Sequence, residues 1–465
     1  MPEEGHAMTI TTLSATILLA ASTQAFEAKV DETIESEMKR EGVPGVAFVY
    51  VKDGRIAYMK GYGLANVDKN VPVDPAKTIW RIGSISKTFT ATAVMQLVER
   101  GRVQLEGDVA SYLSKVQVPP SFPLPITVGD LLTHTGGLDE IRPGTQAPSE
   151  AEVLGLSEFL KTRLQRVRPP GTTISYSTYG TTLAGELVEE VTQKPFEEYL
   201  RENVWSPLGM TRTSIRVPPE LAEDLAVGYE REKDALVPQA WEWYHTTPAS
   251  SINSTALDMA HYMIALLEEG RYGSQAILAP ESVRAMQRQQ RTMHPLIPGV
   301  TYGLWEDFVG SLRFTEHGGN VAGFSAQMVL VPSERAGFFV VGQLEGSNLR
   351  DQVKWTVLEY LFPAARTRLP APSAPKDFAK RAAAFTGRYA PSSSCHTCEP
   401  RSVPYILEVT ADDEGLLFRG SKWIETAPLV FERKDGTGYI CFQTDAQGKV
   451  VSLHAGSYWN FEKLD

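Results

Sequence analysis

Strand-forming sequence stands at both ends of a long helical stretch, and that split constrains the fold more than any other feature. Val46 to Val51 and Ile56 to Tyr62 read as strands, joined at Asp53-Gly54, a dipeptide suited to a tight hairpin. Strand patterns return only near 312–316, 324–331 and 337–343, followed by a helix at about 348–361. Between them the apolar spacing is helical, near 84–100, 127–133, 157–165, 179–193, 195–203 and 256–268, after a first amphipathic helix from Ala25 to Arg40. This order predicts an α/β (α+β) fold: an antiparallel sheet built from distant segments, flanked by helices with an inserted helical region. Any site would lie in the cleft between the sheet and the inserted helices. The stretch 205–255 has little regular pattern. Its aromatic group Trp241, Trp243 and Tyr244 reads as loop core, or as a pocket wall favouring a bulky apolar group.

A proline-rich segment from Arg368 to Pro375 then changes the texture of the chain. Beyond it, short alternating runs separated by turns (Tyr405 to Thr410, Gly415 to Arg419, Leu429 to Arg433, Tyr439 to Thr444, Val450 to His454) predict a small all-β barrel or sandwich. The organisation reads as a possible signal peptide or leader at 1–25, a main domain at 26–366, a linker at 367–376 and an all-β accessory domain at 377–465.

Ile10 to Ala21 is apolar and Thr-rich and is followed by Thr23-Gln24-Ala25, as in a signal peptide starting at Met8. Against that, no Lys or Arg precedes Lys29, and Glu3 and Glu4 have the wrong sign. The expectation is a secreted or periplasmic protein, or a cytoplasmic one if this segment is not a signal. The sequence has no run apolar enough to span a bilayer. A net charge of −11 argues against nucleic acid and anionic membrane surfaces as partners. Cys395, Cys398 and Cys441 read as free thiols or a local disulfide, since Cys395-His396-Thr397-Cys398 is only half a metal site. No metal or cofactor is expected.

Ser84-Ile85-Ser86-Lys87 carries the chemistry. Gly83 precedes it and an apolar helical run follows, so Ser84 sits at a helix mouth with Lys87 one turn on, on the same face. A lysine near the positive end of a helix favours its neutral form, which can take a hydroxyl proton. On context alone Ser84 reads equally as a nucleophile or a helix cap. The same spacing recurs twice, at Ser36 to Lys39 on a charged helical face and at Ser373 to Lys376 in the proline-rich segment. Two later stretches tilt the balance: Ser175-Tyr176-Ser177-Thr178 entering an amphipathic helix, and His317-Gly318-Gly319-Asn320 leading into the strand Ala326 to Val331. His134-Thr135-Gly136 and Tyr458-Trp459-Asn460 mimic parts of these motifs and read as structural, as does His261 on its helix.

Taken in order, these elements resemble the serine β-lactamase and penicillin-binding protein family, in its class C-like branch with related esterases and D-amino-acid peptidases. That family carries S-x-x-K, then Y-x-N, then K-T-G or H-x-G. The resemblance runs from about Phe26 to about Pro363, supported by Leu131 to Leu138 and by Pro207-Leu208-Gly209-Met210. Phe385 to Tyr389 resembles the start of the lipocalin-like domains appended to some members.

The resemblance implies Ser84 as nucleophile, Lys87 and Tyr176 as the proton-transfer unit, and the backbone N–H groups of Ser84 and Asn320 as oxyanion hole. It implies substrate contacts at His317, Gly318, Gly319 and Thr178. Thr178 stands where the family has Asn, and His317 where it often has Lys. Histidine is mostly neutral at pH 7, so a substrate carboxylate loses a fixed partner. The function expected is therefore an esterase-like serine hydrolase acting on a small-molecule ester, amide or lactam, with acid able to charge His317. The alternatives are a D-amino-acid-directed peptidase, a weak β-lactamase, or a non-catalytic acyl-binding protein of penicillin-binding type.

Overall fold

A computed structural model describes residues 7–233, 235–363, 373–401 and 403–464, with side chains from Gln24 onward. The first six residues of the leader lie outside that range, as does most of the 367–376 linker.

The sheet has seven antiparallel strands in the order Trp305–Val309, Leu312–Val321, Phe324–Val331, Ala336–Gly342, Gly45–Lys52, Arg55–Asn66, Val71–Pro72. Distant segments meet where Val46 to Lys52 pair with Gly342 to Ala336. Asp53 and Gly54 turn the first hairpin with φ of +50° and +72°, the left-handed pair that such a turn requires. Strand alternation sorts the core. Val46, Phe48 and Tyr50 face Phe26, Val30 and Ile34 of the N-terminal helix and Val353 and Val357 of the helix Leu349–Leu361. Ala47, Val49 and Val51 face the inserted helices, including Met259 and Met263 of Ala256–Leu267. Burial on both faces explains why this strand reads as a continuous apolar run.

The last eight strands, from Gly387–Pro391 to Trp459–Lys463, form a closed barrel. It closes where Tyr389, Ala390 and Pro391 pair with Lys463, Glu462 and Phe461. Phe378, Tyr389, Phe418, Phe431, Phe442 and Phe461 fill it. Val430 and Cys441 instead pack outward on Ile297 of the main domain.

The structure departs from the sequence expectations at several elements. The N-terminal helix starts at Ala7 and runs unbroken to Glu41. No helix among the described residues is long and apolar enough to cross a membrane. The strand expected at 312–316 continues to Val321 through its glycine pair. Stretch 205–255 holds strands of two to four residues, too short to show a period: Tyr229–Glu232 pairs with Ala235–Pro238, Trp243–Tyr244 with Gln146–Ala147, and Asn253–Ser254 with Trp80–Arg81. The barrel strand Ser421–Ala427 was missed because Glu425 interrupts its apolar pattern. That buried carboxylate is paired with Arg381 at 2.6 Å.

Candidate functional site

Gly83 sets the site up. Its φ of +54° is a conformation that favours glycine, and a Cβ there would come within 3.0 Å of Asn320 N. A single 3-10 turn, Gly83–Ile85, then leads into the helix Ser86–Glu99. Ser84 is not its cap: Ile85 holds that position, with no side-chain capping bond. Ser86 does the local bonding, donating to Gly83 O and accepting from Ile252 N. The half-buried Ser84 hydroxyl is left for other partners.

Those partners are two of the residues expected there. Lys87, 2 % exposed, places Nζ 3.2 Å from Ser84 Oγ and donates to Ala249 O at 2.9 Å. Its Nζ also lies 4.8 Å from the Tyr176 ring centre. Burial drives its pKa down to about 7, against an opposing pull from the charge of Glu140. Burial raises the Tyr176 pKa, outweighing an opposing interaction with the Ser84 side chain, so its hydroxyl is protonated at neutral pH.

The sheet side closes on the same point. Gly319 lacks a Cβ that would sit 2.0 Å from Ile82 O and 3.2 Å from Ser84 N. Only glycine lets this strand approach the helix mouth so closely. Asn320 follows, its N–H beside Gly83, so the N–H groups of residues 84 and 320 share one small region. His317 is fully buried, 4.0 Å from the Trp305 ring centre. Its Nδ1 lies 2.7 Å from Gly318 O, and its Nε2 has no protein partner. Burial, with the nearby Lys87 charge, pushes its pKa well below the ordinary value. The acid charging of His317 expected from the sequence is therefore not available in the neutral range. Thr178 has its amide on both oxygens of Glu140, at 3.2 and 2.9 Å.

Several neighbours of the site were read from the sequence as structural, as His134 and Tyr458 were, or carried no signal at all. His134, at φ +56°, packs 4.6 Å from Tyr176 and accepts from Ser177 N at 3.2 Å. Burial and Lys87 hold it neutral, with a pKa of about 3. Tyr458 reaches in from the barrel, stacked on Trp305 at 4.1 Å and 5.8 Å from Tyr176. Arg350 donates through Nη1 to Gly319 O and Ala326 O behind the strand. Ala249 carried no sequence signal, since a carbonyl needs none. His261 stacks on Tyr272 away from these groups.

The barrel grips the main domain by polar contacts. Asp139 accepts from His396 N, Thr397 N and Thr397 Oγ1 at 2.8, 3.0 and 2.7 Å. The loop making these bonds is closed by the Cys395–Cys398 disulfide, and Cys441 is free and buried. Arg168 donates to Ser392 O and pairs with Glu462. A cavity of about 360 Å3 lies elsewhere, walled in part by Arg81, Trp241 and Phe324 but not by Ser84. Arg81 stacks on Trp241 and Tyr244 at 4.7 and 5.5 Å. No group of three metal-ligating side chains occurs among the described residues.

Comparison with known proteins gives the family and the fold. The Beta-lactamase family model matches residues 30–360. Protein flp of Staphylococcus aureus strain N315 is 25% identical over 340 residues, covering 68% of this chain and 63% of that protein. Putative penicillin-binding protein PbpX of Bacillus subtilis strain 168 is 28% identical over 249 residues, covering 53% of this chain and 60% of that protein. The chain thus spans about three-fifths of the length of these relatives. Among solved structures, the octameric penicillin-binding protein homologue from Pyrococcus abyssi has a TM-score of 0.62 at 24% identity, covering 94% of this chain and 99% of that one. The crystal structure of SurE has a TM-score of 0.68 at 21% identity, covering 96% and 99%. At these identities the structural likeness concerns the fold.

Proposed function

The chain belongs to the beta-lactamase family, and from that premise we propose that it is a serine hydrolase cleaving ester or amide bonds through an acyl-enzyme on Ser84, with uncharged esters as its best substrates. Family membership supports the coarser statement, a serine hydrolase or acyl-binding role. The observation that carries the finer one is the buried Lys87 Nζ, 3.2 Å from Ser84 Oγ with its pKa near 7. A large share of that amine is neutral at pH 7 and able to accept the hydroxyl proton.

Ser84 Oγ attacks the carbonyl carbon as its proton passes to Lys87. Tyr176, protonated, hands a proton to the leaving group and is recharged from Lys87. The N–H groups of Ser84 and Asn320 receive the oxyanion, each contributing about 3 kcal/mol to the transition state. Water then attacks the acyl carbonyl, and Ser84 is released with its proton restored. A neutral, buried His317 supports the preference for uncharged substrates, because it offers a hydrogen bond but no cation.

One observation favours a second reading, hydrolysis of substrates with a free carboxylate. Arg350 stands behind Gly318 and keeps only Nη1 on backbone carbonyls. A substrate panel separates the two: p-nitrophenyl esters, nitrocefin, D-Ala-D-Ala and D-amino-acid amides, with mass mapping of a fluorophosphonate adduct. We expect one adduct, on Ser84, and esters turned over fastest. An adduct elsewhere ends the proposal, and nitrocefin faster than esters transfers it to the second reading. A burst without turnover would make the chain an acyl-binding protein. We also place it outside the cytoplasm, a reading supported by the disulfide. N-terminal sequencing of exported protein tests that placement, and its absence from the exported fraction would sink it.

A further inference from the structure

Arg81 is a buried cation with no part in the scheme above. It is 3 % exposed and lies on the two-residue strand Trp80–Arg81 that leads to Gly83. Among the described residues it makes no ion pair and one hydrogen bond, from Nη2 to Glu242 O at 2.8 Å. A guanidinium carries five N–H donors, so most of these are unspent. The neighbouring carboxylate of Glu242 is engaged elsewhere, by Gln146 Nε2, the Tyr244 hydroxyl and Ala322 N. The rings of Trp241 and Tyr244, at 4.7 and 5.5 Å, offset part of the cost of burying the charge. A ring face answers the charge but not the planar fork of donors, which matches a carboxylate.

Arg81 forms part of the wall of the cavity of about 360 Å3, a size that suits a small organic ligand. Of the charged residues in that wall Arg81 alone is buried. Lys69, Lys77 and Glu223 are exposed, and Asp74 and Asp224 are half-buried. Those two acids already have partners: Asp224 pairs with Arg212, and Asp74 with Lys77 at 4.0 Å. Much of the remaining wall is apolar, with Leu225, Ala226, Val227 and Phe324. A cation with spare donors beside an apolar hollow is suited to a carboxylate carried on an apolar body.

We propose that this cavity is a second ligand site, one that takes a small monocarboxylate, with the carboxylate on the Arg81 guanidinium and the apolar body against Ala226 and Phe324. Ser84 is not in its wall, and the proposal stands independently of the acyl-enzyme reading. The ligand supplies the opposite charge that the chain itself does not bring to Arg81.

The test is isothermal titration calorimetry on the full chain with phenylacetate and hexanoate, beside their neutral amides. At least one carboxylate should bind with a Kd of about 1 mM or tighter, and its amide about tenfold or more weakly. Arg81→Met keeps a long side chain beside Trp241 but removes the charge and the donors. It should weaken carboxylate binding by about tenfold or more, while Ser84→Ala leaves it unchanged. Where Arg81→Met does not fold, Ala222→Trp serves instead. Ala222 is an exposed residue of the same wall, and a bulky ring there should obstruct the cavity and weaken binding to a similar extent. No saturable binding of either carboxylate overturns the proposal, as does equal binding of acid and amide. Undiminished binding in Arg81→Met, or in Ala222→Trp where that variant stands in, also overturns it. Binding lost in Arg350→Gln and kept in Arg81→Met would place the carboxylate in the Ser84 cleft, and the second site would fall.

Discussion

Ser84-Ile85-Ser86-Lys87 and Ser36-Glu37-Met38-Lys39 have the same spacing and opposite surroundings. The second pair lies on the outer face of the N-terminal helix. Both residues are exposed, and Ser36 Oγ donates to Thr33 O within its own helix. The first pair sits where a sheet edge meets a helix mouth, under Tyr176, His134 and the Ala249 carbonyl. Helical spacing brings a lysine beside a serine in either place. Only desolvation takes the charge off the lysine, and only a second and third element supply the hydroxyl relay and the oxyanion donors. The motif is the smaller part of the site.

The largest effect should come from breaking the buried pair. Ser84→Ala should lower ester turnover by about 10^3-fold or more, because among the described residues Ser84 carries the one hydroxyl hydrogen-bonded to Lys87 Nζ. Steady-state kinetics on a p-nitrophenyl ester measures it. Activity within tenfold of wild type would mean that the two pairs do not differ as argued. Tyr176→Phe comes next, with a fall in kcat of about 10^2 to 10^3 and little change in KM, since the hydroxyl acts mainly in the transition state. Near-normal turnover would reduce Tyr176 to packing among His134, Trp305 and Tyr458.

The contrast also has a pH signature. Lys87 must be neutral to accept a proton, and its pKa is lowered to about 7. Reactivity is therefore full above that value and lost as pH falls through it, to about a tenth of the plateau one unit below. A kcat/KM profile flat down to about pH 5 would assign the proton to another group.

How much of this was legible follows from range along the chain. The hairpin at Asp53-Gly54, the helices after Gly83 and Ser177, and the order Ser84, Tyr176, His317 are local signals, readable one segment at a time. The sheet from distant segments and the C-terminal barrel followed from where strand patterns fell. Glu140 was not legible, because nothing in its own segment marks it as the acceptor of the Thr178 amide, which another element brings to it. Tyr458 was read as packing, and it does pack. The sequence could not say that the packing is against Trp305, at the edge of the site and across a domain boundary. His134 resembled a third motif out of order. The structure makes it a neutral wall behind Tyr176.

A smaller effect is expected on choice of substrate. His317→Lys places a long cationic side chain where a neutral ring now fills a buried slot beside Trp305. The ratio of kcat/KM for nitrocefin over a p-nitrophenyl ester should rise by roughly tenfold, a charge-assisted pair being about twice as strong as a neutral bond. An unchanged ratio in a folded variant would leave carboxylate recognition to Arg350 or remove it altogether.

The smallest effect belongs to the exposed pair, and it is the sharpest control. Ser36→Ala with Lys39→Met removes both groups of the second motif. Ser36 loses one hydrogen bond to its own helix, and alanine is the better helix former there. The change in stability should stay within about 0.5 kcal/mol, and ester turnover and Ser84 labelling should equal wild type. Denaturant melts and the same kinetic assay check both. The face of that helix turned to the sheet carries Phe26, Val30 and Ile34, which neither substitution touches. If the double variant loses turnover while its melt is unchanged, the outer helix communicates with the site, and burial alone does not separate the two pairs.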